Sequence, residues 1–169
     1  MVRVKAVLSG LCLAMGILSH TAPSVQAATL LHEYLFDAPG AIDSVGGANG
    51  TLFGGATVGG GVLSLDGVDD YVEFGAKLVP TGLTAFSVTL DAQQLSRTPG
   101  VFVEMISQGS SGAGGFYIGH DTVGNLRFGD QHTGTGLFFP TDNLFHSYAL
   151  TSDALGTNFW ARISTSTAR

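Results

Sequence analysis

Apolar and polar residues alternate in short bursts along most of this chain. Leu63 and Leu65 flank Ser64, and Val72 and Phe74 alternate with Tyr71 and Glu73. A period of two is that of strands resting one face on a core. Between these runs stands Asp66-Gly67-Val68-Asp69-Asp70. Asp-Gly favours a hairpin, because Gly takes φ > 0 without a Cβ clash. The pattern therefore predicts paired strands at 62–65 and 71–74 around an acidic turn. The stretch 85–92 alternates most cleanly, with Phe86, Val88 and Leu90 on one face. Further strands are expected at 30–36, 51–53, 56–58, 101–107, 115–119, 125–128, 136–139, 147–152 and 158–163. Turn signals separate them at short intervals, as in sandwiches and jelly rolls. No helical period of useful length follows residue 27.

The first residues read differently. Arg3 and Lys5 precede an apolar run at 6–18, and Val25-Gln26-Ala27 offers a small-x-small cleavage site. That order is expected of a signal peptide over 1–27, with a mature domain at 28–169 outside the cytoplasm. The apolar run is short for a bilayer span, and no later segment is long and apolar enough for one. Cys12 is the single cysteine. Leu11 before it is not the small residue of a lipoprotein acylation site. Cleavage would leave neither a disulfide nor a thiolate metal site. The remaining stretch of about 142 residues suffices for one domain with a core.

Composition agrees with an all-β chain. Glycine is frequent at 25 residues, and charged residues make up 12%. Beyond residue 27, 13 acidic residues face only Lys77, Arg97, Arg127, Arg162 and Arg169, with no basic run. Nucleic acid and anionic lipid are therefore not the expected partners. The glycine-rich run at 54–61 lacks the Lys-Ser/Thr ending of a phosphate loop and reads as a connection between strands. Asn49-Gly50-Thr51 is both a glycosylation sequon and an Asn-Gly turn; the turn is preferred because Asn-Gly tolerates a left-handed backbone.

Five segments carry a resemblance: Leu31-His-Glu-Tyr-Leu-Phe-Asp37, Asp43-Ser-Val-Gly-Gly-Ala-Asn-Gly-Thr-Leu52, Leu63-Ser-Leu-Asp-Gly-Val-Asp-Asp-Tyr-Val-Glu-Phe74, Phe86-Ser-Val-Thr-Leu90 and Phe145-His-Ser-Tyr-Ala-Leu-Thr151. In this order and spacing they resemble the laminin-G-like family, the concanavalin A-like jelly-roll sandwiches of secreted bacterial proteins. The resemblance spans about residues 30–160. It implies an antiparallel β-sandwich of jelly-roll type that binds more than it catalyses, and it fixes fold better than function. The chain end departs from the pattern. Thr157-Asn-Phe-Trp-Ala-Arg-Ile163 begins a late strand, and Ser-Thr-Ser-Thr-Ala-Arg169 follows where the resemblance implies closing hairpins. The expectation is a domain lacking its C-terminal strands, a fragment or frame-shifted end, with early edges left unpaired unless a partner chain fills them.

Candidate chemistry is sparse. Glycoside hydrolysis needs two carboxyl groups flanking the scissile bond. The related glucanases resemble Glu-x-Asp-x-x-Glu on one strand, whereas Glu33, Glu73 and Glu104 stand apart here. Only Glu73 has acidic neighbours, Asp69 and Asp70, across a turn. Glu104 reads as a solvent-facing strand residue with Val101 and Val103 turned inward. His32, His120, His132 and His146 form no ligand-spaced pair, and no Gly-x-Ser-x-Gly occurs. No catalytic residue is therefore assigned. Asp66, Asp69 and Asp70 are the candidate metal ligands, for calcium, which prefers oxygen donors. Their alternative role is capping the turn. Asp43 is a further acid in the preceding loop. Tyr117, Phe138, Phe139, Tyr148 and Trp160 offer rings for a sugar platform, or for the core. The expected function is a secreted, non-catalytic binding or adhesion module for carbohydrate, with Ca2+ as the one candidate cofactor. The alternatives are a hydrolase or lyase acting through Glu104, and a surface protein with envelope protein partners.

Overall fold

The structure, a computed structural model, describes residues 2–7, 28–80, 85–109, 115–129, 133–152 and 159–165. They form thirteen strands: β1 (Val2–Val7), β2 (Leu30–Tyr34), β3 (Gly50–Phe53), β4 (Thr57–Gly59), β5 (Val62–Ser64), β6 (Tyr71–Phe74), β7 (Phe86–Ala92), β8 (Val103–Gln108), β9 (Phe116–His120), β10 (Asn125–Phe128), β11 (Thr133–Phe138), β12 (His146–Ser152) and β13 (Phe159–Thr165). No helix occurs among the described residues, so none is long and apolar enough to cross a membrane. All strand pairs are antiparallel.

Two main sheets make a β-sandwich. The larger runs β13-β12-β7-β1-β5-β4, with β2 also pairing β1; the smaller runs β11-β10-β9-β8. β3 and β6 form a separate two-stranded sheet. The core lies between the main sheets. Val88 and Leu90 of β7 and Tyr148 and Leu150 of β12 come from one side, and Ile118, Leu126 and Phe128 of β9 and β10 from the other. The Phe86 and Phe116 rings meet across the gap at 5.9 Å. Period-two alternation explains why these strands sit here. In β12, His146, Tyr148, Leu150 and Ser152 are buried while the residues between them are half-buried. On the opposite face Ser87 and Thr151 share a hydrogen bond of 3.0 Å, a cross-strand pair of the kind that stabilises sheets.

A clasp closes the first loop. The Asp43 carboxylate accepts N–H groups from Glu33 (3.1 Å), Val45 (3.1 Å), Gly46 (3.0 Å) and Ala48 (2.9 Å), and it meets His32 Nδ1 at 2.7 Å. Burial works to raise this carboxyl. The bonds from His32 and from the Glu33, Gly46 and Ala48 amides outweigh it and hold the pKa well below the usual carboxylate range. Asp43 is thus a structural residue, tied to the fold rather than to the distant acidic turn.

Two local expectations give way. Val62–Ser64 and Tyr71–Phe74 are strands, yet they are not a hairpin: β5 pairs β4 and β1, whereas β6 pairs β3. The connection at 65–70 crosses between sheets, and Leu65 is exposed instead of inward. The tight turn lies one step earlier, where Gly60 (φ 60°) and Gly61 (φ 77°) join β4 to β5. Two left-handed residues in a two-residue loop are the type I′ geometry that suits strand twist. Asn49 and Gly50 keep φ below zero, so the Asn-Gly turn is absent; the Asn49 side chain instead accepts the Asp43 N–H at 2.9 Å. Val2–Val7, within the stretch read as a leader, pairs β2 along one edge and β7 along the other.

Candidate functional site

The acidic turn is held by its own carboxylates. Asp66 Oδ1 accepts the Val68 N–H at 2.8 Å, the local bond of an Asx turn. Asp70 accepts the Asp66 N–H at 2.8 Å and also the Gly55 N–H, so it ties this turn to the β3–β4 loop. Gly54 is at φ 75°, and a Cβ there would overlap the Asp69 carbonyl and the Asp70 carboxylate. This close approach requires glycine. The capping role is therefore filled by Asp66, while Asp70 bridges two loops instead of standing in solvent.

The same bonds bring three acids together. One oxygen each from Asp66, Asp69 and Asp70 lies within 4.8 Å of the others, with Asp66 and Asp69 exposed and Asp70 half-buried. Spacing and donor type fit calcium, whose oxygen ligands stand at about 2.3–2.6 Å from the ion. Three carboxylates supply fewer than the six to eight ligands that calcium takes, so carbonyls and water would complete the shell.

Beside this turn the sequence reading missed a second feature. Phe53 and Tyr71 are register partners across β3 and β6, and their rings stack at 4.8 Å with an interplanar angle of 10°. They are 37% and 50% exposed, large values for stacked aromatic side chains. Thr51 and Glu73, also register partners, lie on the same exposed face. At the far end of β6 lies an open cleft of about 400 Å³ lined by Glu73, Phe74, Lys77, Leu78, Ser107 and Gln108. Gln108 fixes the cleft wall by bonding both the N–H (3.0 Å) and the carbonyl (2.8 Å) of Val79. The outer face of β3–β6 thus carries two rings beside the acidic turn, and the cleft adjoins the far end of β6.

The other candidates are dispersed. Tyr117, Phe139 and Tyr148 belong to the interior, and Phe138 is 63% exposed. The Trp160 side chain and His132 lie outside the described residues. Glu104 is exposed as expected and accepts the Ser107 hydroxyl at 2.6 Å, though Val101 is exposed rather than inward. Tyr117 lies near Glu104, Asp121 and Arg127. Burial first, then the two acids, push its phenol up to about 12 against the opposing effect of Arg127. Its hydroxyl donates to the Val103 carbonyl at 2.8 Å. His32 serves the Asp43 clasp. Buried His120 sits between Gln94 (3.0 Å) and the Asp121 carbonyl (2.8 Å), and His146 meets Asp142 at 2.9 Å. Among the described residues, Asp66, Asp69 and Asp70 are the one cluster with metal-ligand spacing. No family model, curated protein or solved structure matches this chain.

Proposed function

We propose that this chain is an extracytoplasmic, non-catalytic binding module of the laminin-G-like type, and that its ligand is carbohydrate held on the outer face of β3–β6. The exposed Phe53–Tyr71 stack carries the reading. Rings offer apolar faces to the C–H side of a sugar, and nearby carboxylates accept its hydroxyl protons. On this reading Asp66, Asp69 and Asp70, whose carboxylate oxygens lie within 4.8 Å of one another, would hold calcium beside that platform. The ion would fix the turn and offer open coordination positions to sugar hydroxyls. Glycan-array and calorimetric titration, with calcium and with chelator, test this. Tyr71→Ala should weaken binding roughly tenfold, the equivalent of about 1.4 kcal/mol, while thermal stability stays near that of the parent. Absence of glycan binding in both conditions sinks the proposal.

A protein-binding role has its own support. The Gly100 N–H bonds the Thr122 carbonyl, and the Phe139 N–H bonds the Gly124 carbonyl, each at 2.9 Å. These bonds gather Val101, Phe102, Val123 and Phe138, all exposed, around one end of the smaller sheet. Grouped exposed apolar residues are a mark of protein interfaces. The catalytic alternative finds less: Glu104 shares its hydrogen bond with Ser107, and a phenol near pKa 12 in Tyr117 keeps its proton at neutral pH.

A further inference from the structure

Two strand edges border one cleft. Among the described residues β6 pairs β3 alone and β8 pairs β9 alone, so each has a second edge with no strand on it. Their sheets lie in the same layer. The Phe74 ring of β6 meets Tyr34 of β2 at 4.8 Å, much as the Phe116 ring of β9 meets Phe86 of β7, so both cover the larger sheet across the core. The cleft of about 400 Å³ is lined by Val72, Glu73 and Phe74 of β6 and by Ser107 and Gln108 of β8. Each strand reaches it with its C-terminal end. One strand between them, running the other way, would pair antiparallel with both, as every strand pair of this molecule does.

The walls dictate what such a strand must carry. Val72 and Phe74 pack against the core, and Ile106 is buried in it. Side chains of a strand alternate between faces, so the inward positions of a guest must be apolar. On the outward face Glu73 is exposed between Val72 and Phe74. A bulge between Glu104 and Ile106 leaves both Glu104 and Ser107 exposed, and the Ser107 hydroxyl donates to Glu104 at 2.6 Å. Two carboxylates thus flank the outward side. The cation in the lining, Lys77, belongs to the segment at one end, where Gln108 holds both backbone groups of Val79. Basic residues at the outward positions of a guest complement these walls.

We infer that the cleft between β6 and β8 accepts an extended segment of another polypeptide, one that alternates apolar with basic residues. Its entry joins the two-stranded and four-stranded sheets into one layer. Main-chain hydrogen bonds to the two free edges supply affinity, and Glu73 and Glu104 select the basic positions. The inference is independent of the sugar reading, which rests on the Phe53 and Tyr71 rings.

The test titrates the purified chain with a labelled peptide that alternates valine and lysine, read by fluorescence anisotropy, with hydrogen exchange measured on the complex. Saturable binding is expected, with exchange slowed in both β6 and β8. The same peptide N-methylated at alternate amides keeps its charge but loses main-chain donors, and should bind roughly tenfold more weakly. Glu73→Gln combined with Glu104→Gln changes two exposed side chains, and should weaken binding of the unmethylated peptide roughly fivefold at unchanged melting temperature. Absence of binding overturns the inference. Equal affinity for the methylated and unmethylated peptides also overturns it, since charge attraction alone would then hold them. So does protection confined to one wall. Protection of both walls that rises with protein concentration, in the absence of peptide, would assign the slot to a second copy and equally refutes a separate partner.

Discussion

Asp43 and Gly46 show how one side chain can order a whole loop. The Asp43 carboxylate gathers amides from Glu33, Val45, Gly46 and Ala48, so the chain at 43–48 wraps around a single anion. The wrap brings Gly46 against the His32 ring and the Leu31 carbonyl, leaving no room for a Cβ. Gly46→Ala should therefore destabilise by about 1–3 kcal/mol, read as a lower urea midpoint at unchanged slope. Tyr148 presents the opposite case. Its ring stacks on Phe139 at 5.0 Å, while its buried hydroxyl has no protein partner among the described residues. Burial first, and then Asp142, push this phenol far above its ordinary pKa. Removing a buried hydroxyl that bonds nothing removes a desolvation penalty and keeps the packing. Tyr148→Phe should leave the melting temperature unchanged or raise it, and a fall of several degrees would contradict this account.

At the scale of elements, strand positions were legible and strand partners were not. Period-two alternation located 71–74 and 125–128 at their observed limits and most other strands within a few residues. Alternation is a local property, set by which face meets the core. Pairing is decided by residues far apart. The runs at 62–65 and 71–74 read as a hairpin because Asp66-Gly67 lies between them, but Asp70 anchors the connection to Gly55 and sends β6 to β3. The candidate site divides in the same way. Asp66, Asp69 and Asp70 are neighbours in sequence, so their cluster was visible at once. The Phe53–Tyr71 stack exists only after β3 pairs β6. β12 offers a check on the core itself. Leu150 is fully buried, between Val88 of β7 and Ala161 of β13 in register. Leu150→Ala should cost about 2–5 kcal/mol by loss of burial and a residual cavity, measured by denaturant titration.

At the scale of the whole molecule, an acidic chain is held together partly by its acids. The formal net charge is −6, so mean electrostatics oppose compaction at neutral pH. Three carboxylates reverse that locally. Asp43 is held low by the clasp despite its burial. Asp121 is held low first by the Arg127 side chain, whose Nη2 approaches to 2.6 Å, and then by Asn125. Asp142 is held low chiefly by the hydrogen bond from His146. Each carboxyl therefore has a lower pKa folded than unfolded, so in acid the unfolded chain binds more protons. Stability from these groups is fully present above the ordinary carboxylate pKa of about 4 and disappears as pH falls through the folded values. The urea midpoint should stay nearly level from pH 7 to about 5 and then drop steeply toward pH 3. Asp43→Asn keeps the shape of the clasp but cannot lose charge on acidification. This variant should start less stable at pH 7 and show a shallower acid decline than the parent. Equal slopes for the two proteins below pH 5 would remove Asp43 from the acid response and leave it to Asp121 and Asp142, in the loops that precede β10 and β12.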